Sequence, residues 1–275
     1  MIKLIAFDMD GTLLNPKKEI TSKTKAVLKC LRERNIAYTI CTGRVATMTD
    51  TYVRALDIRI PVITGNGAAL YDPKTKAYEI LGLVPTKEAV EIGKLCRNDG
   101  IDCCFLGTEV CYFTRDDGRI KNFENYNRIA GEAKDPLMKL KVLGDDLSVL
   151  EKMDIHKVLI RFCDIEEKDK LFSYINEHDN LSAVCSEEDL IDIMASGVSK
   201  GDALFYLMEK MALSKEEVAV FGDYYNDISM MKVVGLPIAM ENGCEEIKEE
   251  ALYVTQSNEE DGVAKAIELL ILPEK

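Results

Sequence analysis

The sequence predicts an α/β fold: a Rossmann-like, doubly wound parallel-sheet core that carries an inserted α/β unit. Three observations lead there. Apolar strand-like runs alternate with helical stretches from Lys3 to Thr64. Between Ala68 and Val198 the pattern changes to hairpins and alternating strands, and from Val198 to Leu272 the first pattern returns. Strands alternating with helices build a parallel sheet covered on both faces, so its strands read as unbroken apolar runs.

The elements follow in order. Leu4 to Phe7 is a buried strand that stops at Asp8, and Gly11 permits a sharp turn. A helix is expected over 22–34, where Val27, Leu28 and Leu31 form an apolar stripe. A strand over 36–41 runs into Thr42-Gly43-Arg44, then a helix over 45–57. A third strand of the parallel set, 61–64, ends at Asn66-Gly67. Residues 68–71 and 77–80 read as an antiparallel hairpin turning at Asp72-Pro73-Lys74.

The inserted unit is expected over 83–187, between core segments 1–82 and 188–275. Its first helix starts near Thr86, whose hydroxyl can cap it. Strands near 101–106 and 109–113, a helix near 118–130 and strands near 139–143 and 157–163 follow. A helix near 166–178 and strands near 182–185 and 189–194 complete the pattern. His156 and His178 lie in this region, and surface or capping roles are expected for both.

Composition bounds the function. Charged residues make up 30% and apolar residues 47%, which is a globular balance. The formal net charge of −13 argues against nucleic acid or an anionic membrane as partner, since both need basic surface. Nine cysteines, with no signal-like or membrane-spanning apolar run, point to free thiols in the cytoplasm. Cys103, Cys104 and Cys111 read as small apolar strand residues, because paired zinc-ligand spacing is absent.

Four segments carry the chemistry. Asp8 and Asp10 sit two apart after a strand, so an extended backbone aims both carboxylates the same way. Ligands of open α/β sheets bind beyond the carboxyl ends of the strands. Two acids there repel unless a cation separates them, which predicts a hard divalent metal, most simply Mg²⁺. Alone, the pair also reads as a turn with solvated acids. Thr42 and Gly43 offer a hydroxyl and backbone N–H groups to a phosphoryl oxygen, or merely cap a helix. Lys200 precedes a helical pattern and, alone, is a solvated charge. Val218 to Phe221 is another apolar strand, ending in Gly222-Asp223 with Asn226 and Asp227 a turn later.

In this order, Asp8-Met9-Asp10-Gly11-Thr12-Leu13-Leu14, Thr42-Gly43-Arg44, Lys200 and Gly222-Asp223-Tyr224-Tyr225-Asn226-Asp227 resemble the four motifs of the haloacid dehalogenase superfamily of phosphohydrolases. Thr64-Gly65-Asn66-Gly67-Ala68, Ala239-Met240-Glu241-Asn242-Gly243 and Ser257 to Val263 are similar to segments of its Cof-type (class IIB) branch. Tyr224 and Glu241 depart from the usual residues there, without removing a reactive group.

The resemblance implies a Mg²⁺-dependent phosphomonoester hydrolase with a mobile cap at 83–187. It implies that Asp8 is the nucleophile and Asp10 the acid–base. It implies that Mg²⁺ is held by Asp8, Asp10 (through its carbonyl) and Asp223. Lys200, the Met9 N–H, Thr42, Gly43 and Asn226 would hold the phosphate, and Asp227 would support Lys200 or a metal-bound water. Arg44, Asn66 and Gly67 are rim candidates. The substrate class is a small phosphorylated metabolite, such as a sugar phosphate, a flavin precursor or pyridoxal phosphate. Three other readings fit the same residues: a phosphomutase or phosphotransferase, a phosphate-storing receiver, and a non-catalytic binder of a phosphorylated ligand.

Overall fold

The computed structural model describes residues 1–116, 118–144 and 146–272; the expected end of the second core segment, 273–275, lies outside them. The chain opens with β1 (Leu4–Phe7), α1 (Ser22–Glu33), β2 (Ala37–Ile40), α2 (Asp50–Ala55), β3 (Val62–Thr64), β4 (Ala69–Tyr71) and β5 (Tyr78–Ile80). Next come α3 (Thr86–Asp99), β6 (Asp102–Gly107), β7 (Val110–Phe113), α4 (Ile120–Glu132) and β8 (Lys139–Val142). They are followed by β9 (Ile155–Arg161), α5 (Ile165–Asn176), β10 (Leu181–Glu187) and β11 (Leu190–Ala195). The chain then returns through α6 (Lys200–Lys210), β12 (Val218–Gly222), α7 (Ile228–Met231) and β13 (Leu236–Met240). It ends in α8 (Glu245–Glu250), β14 (Tyr253–Thr255) and α9 (Gly262–Ala266).

The core sheet is parallel throughout, in the order β14-β13-β12-β1-β2. Ile5, Phe7, Ala219 and Phe221 point to one face and pack with Val27, Leu28 and Leu31 of α1. Leu4, Ala6, Val218 and Val220 point to the other and meet Leu204 and Leu207 of α6. Every residue of β1 and β12 is therefore inside, and neither strand shows polar alternation. The chain runs from β1 to β2 on one side and from β12 to β14 on the other. The strand order thus reverses between β1 and β12, which is where open α/β sheets bind ligands.

β3 departs from the expected pattern. It touches β2 through one parallel bridge, Cys41 to Ile63, and then pairs antiparallel with β4 in a separate three-stranded sheet, β3-β4-β5. The reason is the turn that follows. Gly65, Asn66 and Gly67 all have positive φ, which folds the chain straight back.

The inserted unit is built on a six-stranded sheet, β10-β11-β9-β6-β7-β8, antiparallel except for β7–β8. β11 belongs to it, so the boundary expected at 187/188 falls inside the β10–β11 hairpin, and the sheet runs on to Ala195. One face, with Cys103, Phe105, Val158 and Ile193, packs with residues of α3 and α5. The other, with Cys104, Leu106, Cys111, Phe113 and Leu159, covers Val45 of the core. Cys103 and Cys104 thus fill opposite faces of one strand as small apolar residues. Thr86 does not cap α3; Pro85 occupies the cap position and Thr86 is the first helical residue. His178 Nδ1 donates to the Tyr174 carbonyl at the end of α5 (2.8 Å). His156 is buried instead of exposed, and burial pushes its pKa down to about 4.

Candidate active site

The site forms where β1 and β12 end side by side. Asp8 follows β1, and its backbone N–H continues the ladder to the Phe221 carbonyl (2.9 Å). Gly11 has φ of 83°, and a Cβ there would stand 2.2 Å from Asp223 Oδ2. Only glycine lets the loop after β1 pass so close to the acid after β12. Thr12 Oγ1 then donates to Asp223 Oδ1 (2.6 Å). Two asparagines pin this loop from outside: Asn242 Nδ2 donates to the Gly11 carbonyl (2.8 Å) and Asn258 Nδ2 to the Leu14 carbonyl (2.7 Å). That is the physical work of the two late sequence segments.

Lys200 is fully buried, at the first turn of α6 behind the Ser199 cap. Its Nζ donates to Asp8 Oδ1 (2.5 Å) and to Asp227 Oδ1 (2.6 Å). Asp227 Oδ2 in turn accepts from the backbone N–H groups of Asp223 (2.9 Å) and Tyr224 (3.2 Å). Gly67 makes room for this helix: a Cβ there would lie 2.1 Å from the Ser199 carbonyl oxygen. Gly67 therefore serves to seat Lys200.

Burial pushes the Asp8 carboxyl up to about 7, with the Asp227 and Asp10 charges adding to the effect and Lys200 opposing it. Burial, with Asp8 and Asp227 beside it, also raises Asp223 well above the carboxylate range. Oxygens of Asp8, Asp223 and Asp227 lie within 4.8 Å of one another. A crowded set of hard oxygen donors with raised proton affinity fits a hard divalent cation.

Asp10 has a different environment. Arg44 Nε and Nη2 donate to its two carboxylate oxygens (2.8 and 2.7 Å), and Lys18 Nζ donates to Oδ1 (2.7 Å). Burial works against ionisation, but Arg44 and Lys18 overcome it and hold Asp10 below the usual range. The Asp10 side chain is outside the acidic cluster, and Asp227 stands in it instead. Arg44 is no surface charge. It is 5% exposed, between the rings of Tyr52 and Tyr126, and its Nη1 is buried without a partner among the described residues.

Thr42 and Gly43 line the cleft, and the Thr42 hydroxyl accepts from the Arg44 N–H (3.2 Å). The Met9 side chain is buried in the core, so what it can offer a ligand is its main chain. Asn226 Nδ2 donates to Asn66 Oδ1 (3.2 Å), and Asn66 Nδ2 donates to Asp192 Oδ2 (2.6 Å). Asn66 is buried with φ of 56°, and links the core to the six-stranded unit.

That unit closes the cleft with residues the sequence did not single out. Arg119, Tyr126, Lys157 and Asp192 line it, with Leu106, Leu159 and Leu190 between them. Tyr224 lines it from the core side and packs edge-on against Tyr225.

A family model described as haloacid dehalogenase-like hydrolase matches residues 5–267. The 5-amino-6-(5-phospho-D-ribitylamino)uracil phosphatase YcsE of Bacillus subtilis is 30% identical over 274 residues, covering 98% of this chain and 96% of that protein. The pyridoxal phosphate phosphatase YbhA of Escherichia coli is 26% identical over 266 residues, covering 96% of this chain and 97% of that one. A solved haloacid dehalogenase-like hydrolase from B. subtilis superposes with a TM-score of 0.86 at 25% identity, over 98% of this chain and all of that one.

Proposed function

The chain belongs to the haloacid dehalogenase-like hydrolases of the Cof type, and from that premise we propose that it is a Mg²⁺-dependent phosphatase of small phosphorylated metabolites. The observation that carries the reading is Lys200 joining Asp8 to Asp227 at the ends of β1 and β12. Relatives named as phosphatases of a flavin precursor and of pyridoxal phosphate support the substrate class.

In this reading Asp8 is the nucleophile. Its oxygen attacks phosphorus, the bond from phosphorus to the alkoxy oxygen breaks, and Asp8 carries the phosphoryl group. Asp10 gives its proton to the leaving alkoxide, then takes one from the water that attacks phosphorus. The bond from phosphorus to Asp8 breaks, releasing inorganic phosphate. An Asp10 gripped by Arg44 and Lys18 is an anion and has no proton to give. An arriving phosphate competes for Arg44, whose Nη1 is open, and lets Asp10 take up its proton.

Thr42, the Gly43 and Met9 N–H groups, Asn226 and Lys200 would hold the phosphate oxygens. Asp8, Asp223 and the Asp10 carbonyl would hold Mg²⁺, with Asp227 beside them. The cation would supply charge neutralisation, as phosphoryl transfer requires. The six-stranded unit would act as the cap that excludes bulk water and contacts the alcohol. Phosphate release from a panel of phosphomonoesters, with Asp8→Asn as control, tests the whole. No release from any ester in the presence of Mg²⁺ rejects it.

A further inference from the structure

The cap side of the cleft holds a charge that the described residues do not fully satisfy. Asp192, on β11, is completely buried. Its Oδ2 accepts from Lys157 Nζ on β9 (2.7 Å) and from Asn66 Nδ2 (2.6 Å). Its Oδ1 is equally buried and has no donor among the described residues. A buried carboxylate oxygen without a partner calls for an explanation, and a ligand donor is one.

The place of this oxygen narrows the ligand. Asp192 and Lys157 line the same cleft as Asp8 and Asn226. Asn66, which holds Asp192, also accepts from Asn226 (3.2 Å). Lys157 Nζ lies 3.0 Å from where a Cβ would stand at Gly43. The open oxygen is therefore about one side chain from the turn assigned to the phosphoryl group. An anion so near a phosphate would be repelled alone, but Lys157 offsets its charge. What belongs there is a neutral donor on the substrate, a short way past the ester oxygen.

We propose that Asp192 Oδ1 accepts a hydrogen bond from a hydroxyl of the leaving alcohol close to the phosphoester, so that the enzyme selects phosphorylated polyhydroxy compounds over esters lacking that hydroxyl. This rests on the phosphatase reading above. Lys157 and Asn66 are positioning residues that fix the carboxylate.

The test uses matched esters: glycerol 3-phosphate against propane-1,3-diol monophosphate, and ribitol 5-phosphate against pentyl phosphate. In the wild-type protein, kcat/KM should favour the hydroxylated member of each pair by about tenfold or more, the size of one hydrogen bond to a charged group. In Asp192→Asn, and in the double change Lys157→Met with Asp192→Leu, the ratio should fall to within about twofold of unity. The ratio is internal to each preparation, so partial unfolding does not produce it. Ratios near unity in the wild-type protein, or ratios unchanged in both variants, overturn the proposal. So does hydrolysis of p-nitrophenyl phosphate with no turnover of either hydroxylated ester. Failure to hydrolyse even p-nitrophenyl phosphate rejects the phosphatase reading, and this proposal with it.

Discussion

Arg44 grips Asp10 through two parallel hydrogen bonds, of 2.8 and 2.7 Å, while lying between a core tyrosine and a cap tyrosine. The acid proposed to deliver a proton is thereby held as an anion.

Arg44→Ala should lower kcat/KM for phosphomonoesters by about tenfold to a hundredfold, the size of one lost charge-assisted contact. Arg44→Lys should recover little of it, because an ammonium cannot make the two-point contact. Steady-state kinetics decide, and near-normal values in Arg44→Ala would remove Arg44 from the site.

Divalent metal should be needed for turnover, and its effect on stability should depend on pH. The folded protein holds the Asp8 proton up to about 7, against an ordinary value of 3.8. The folded state therefore binds more protons than the unfolded state in that window. By linkage, this group makes the metal-free protein less stable as pH rises from about 4 to about 7. The cation takes the deprotonated carboxylate, so saturating Mg²⁺ should raise Tm by roughly 5 °C near pH 8 and by much less near pH 5. An equal rise at both, or turnover after EDTA treatment, contradicts the assignment.

The two motif aspartates should fail in different ways. Asp8→Asn should abolish turnover, since an amide is a poor nucleophile. Asp10→Asn should slow it by about 10²–10⁴-fold, the usual worth of an acid–base group. With p-nitrophenyl phosphate the leaving group needs little protonation, so phosphoenzyme should accumulate in Asp10→Asn. Rapid quench and intact mass should find one added phosphoryl group, on Asp8 after digestion. Phosphate on any other residue would name a different nucleophile, and near-normal turnover in Asp8→Asn with no phosphoenzyme would point to direct attack by water.

The cap should move against the core by releasing a latch away from the cleft. Thr51 Oγ1 and Arg54 Nη2, on α2, donate to Asp135 Oδ2 (2.6 and 2.9 Å). Arg54 is largely exposed, so solvent screening leaves the contact weak. Asp135→Ala should speed amide exchange around α2 and residues 133–138 and barely change Tm. Unchanged exchange there would mean that the contact plays no part in opening.

Much of this was legible in the sequence, for a physical reason. β1, β2 and β12 are covered on both faces, so they appear as bare apolar runs, and the acids just beyond them stand out. The site residues from the cap were not legible. Lys157 and Asp192 sit one each in strands β9 and β11, where a charge ordinarily marks a solvated face. Only the register, with Asp192 opposite Leu159 and Lys157 opposite Leu106, turns them toward the cleft. β3 misled because a strand of three residues does not say which neighbour it will pair with. The signal lay after it, in Gly65-Asn66-Gly67, whose left-handed backbone reverses the chain.

The two passages between core and cap run beside each other. Leu81 and Gly82 donate to the Ala68 carbonyl (2.8 and 3.2 Å), and a Cβ at Gly82 would stand 2.4 Å from Val198 Cγ2. To the core, the cap is an insert whose two ends already touch. Exchanging it for a longer or shorter module would add little loop-closure cost, because that cost grows only slowly with length. The same chassis can therefore accept a transplanted cap, and the specificity carried on β9 and β11 would leave with the old one.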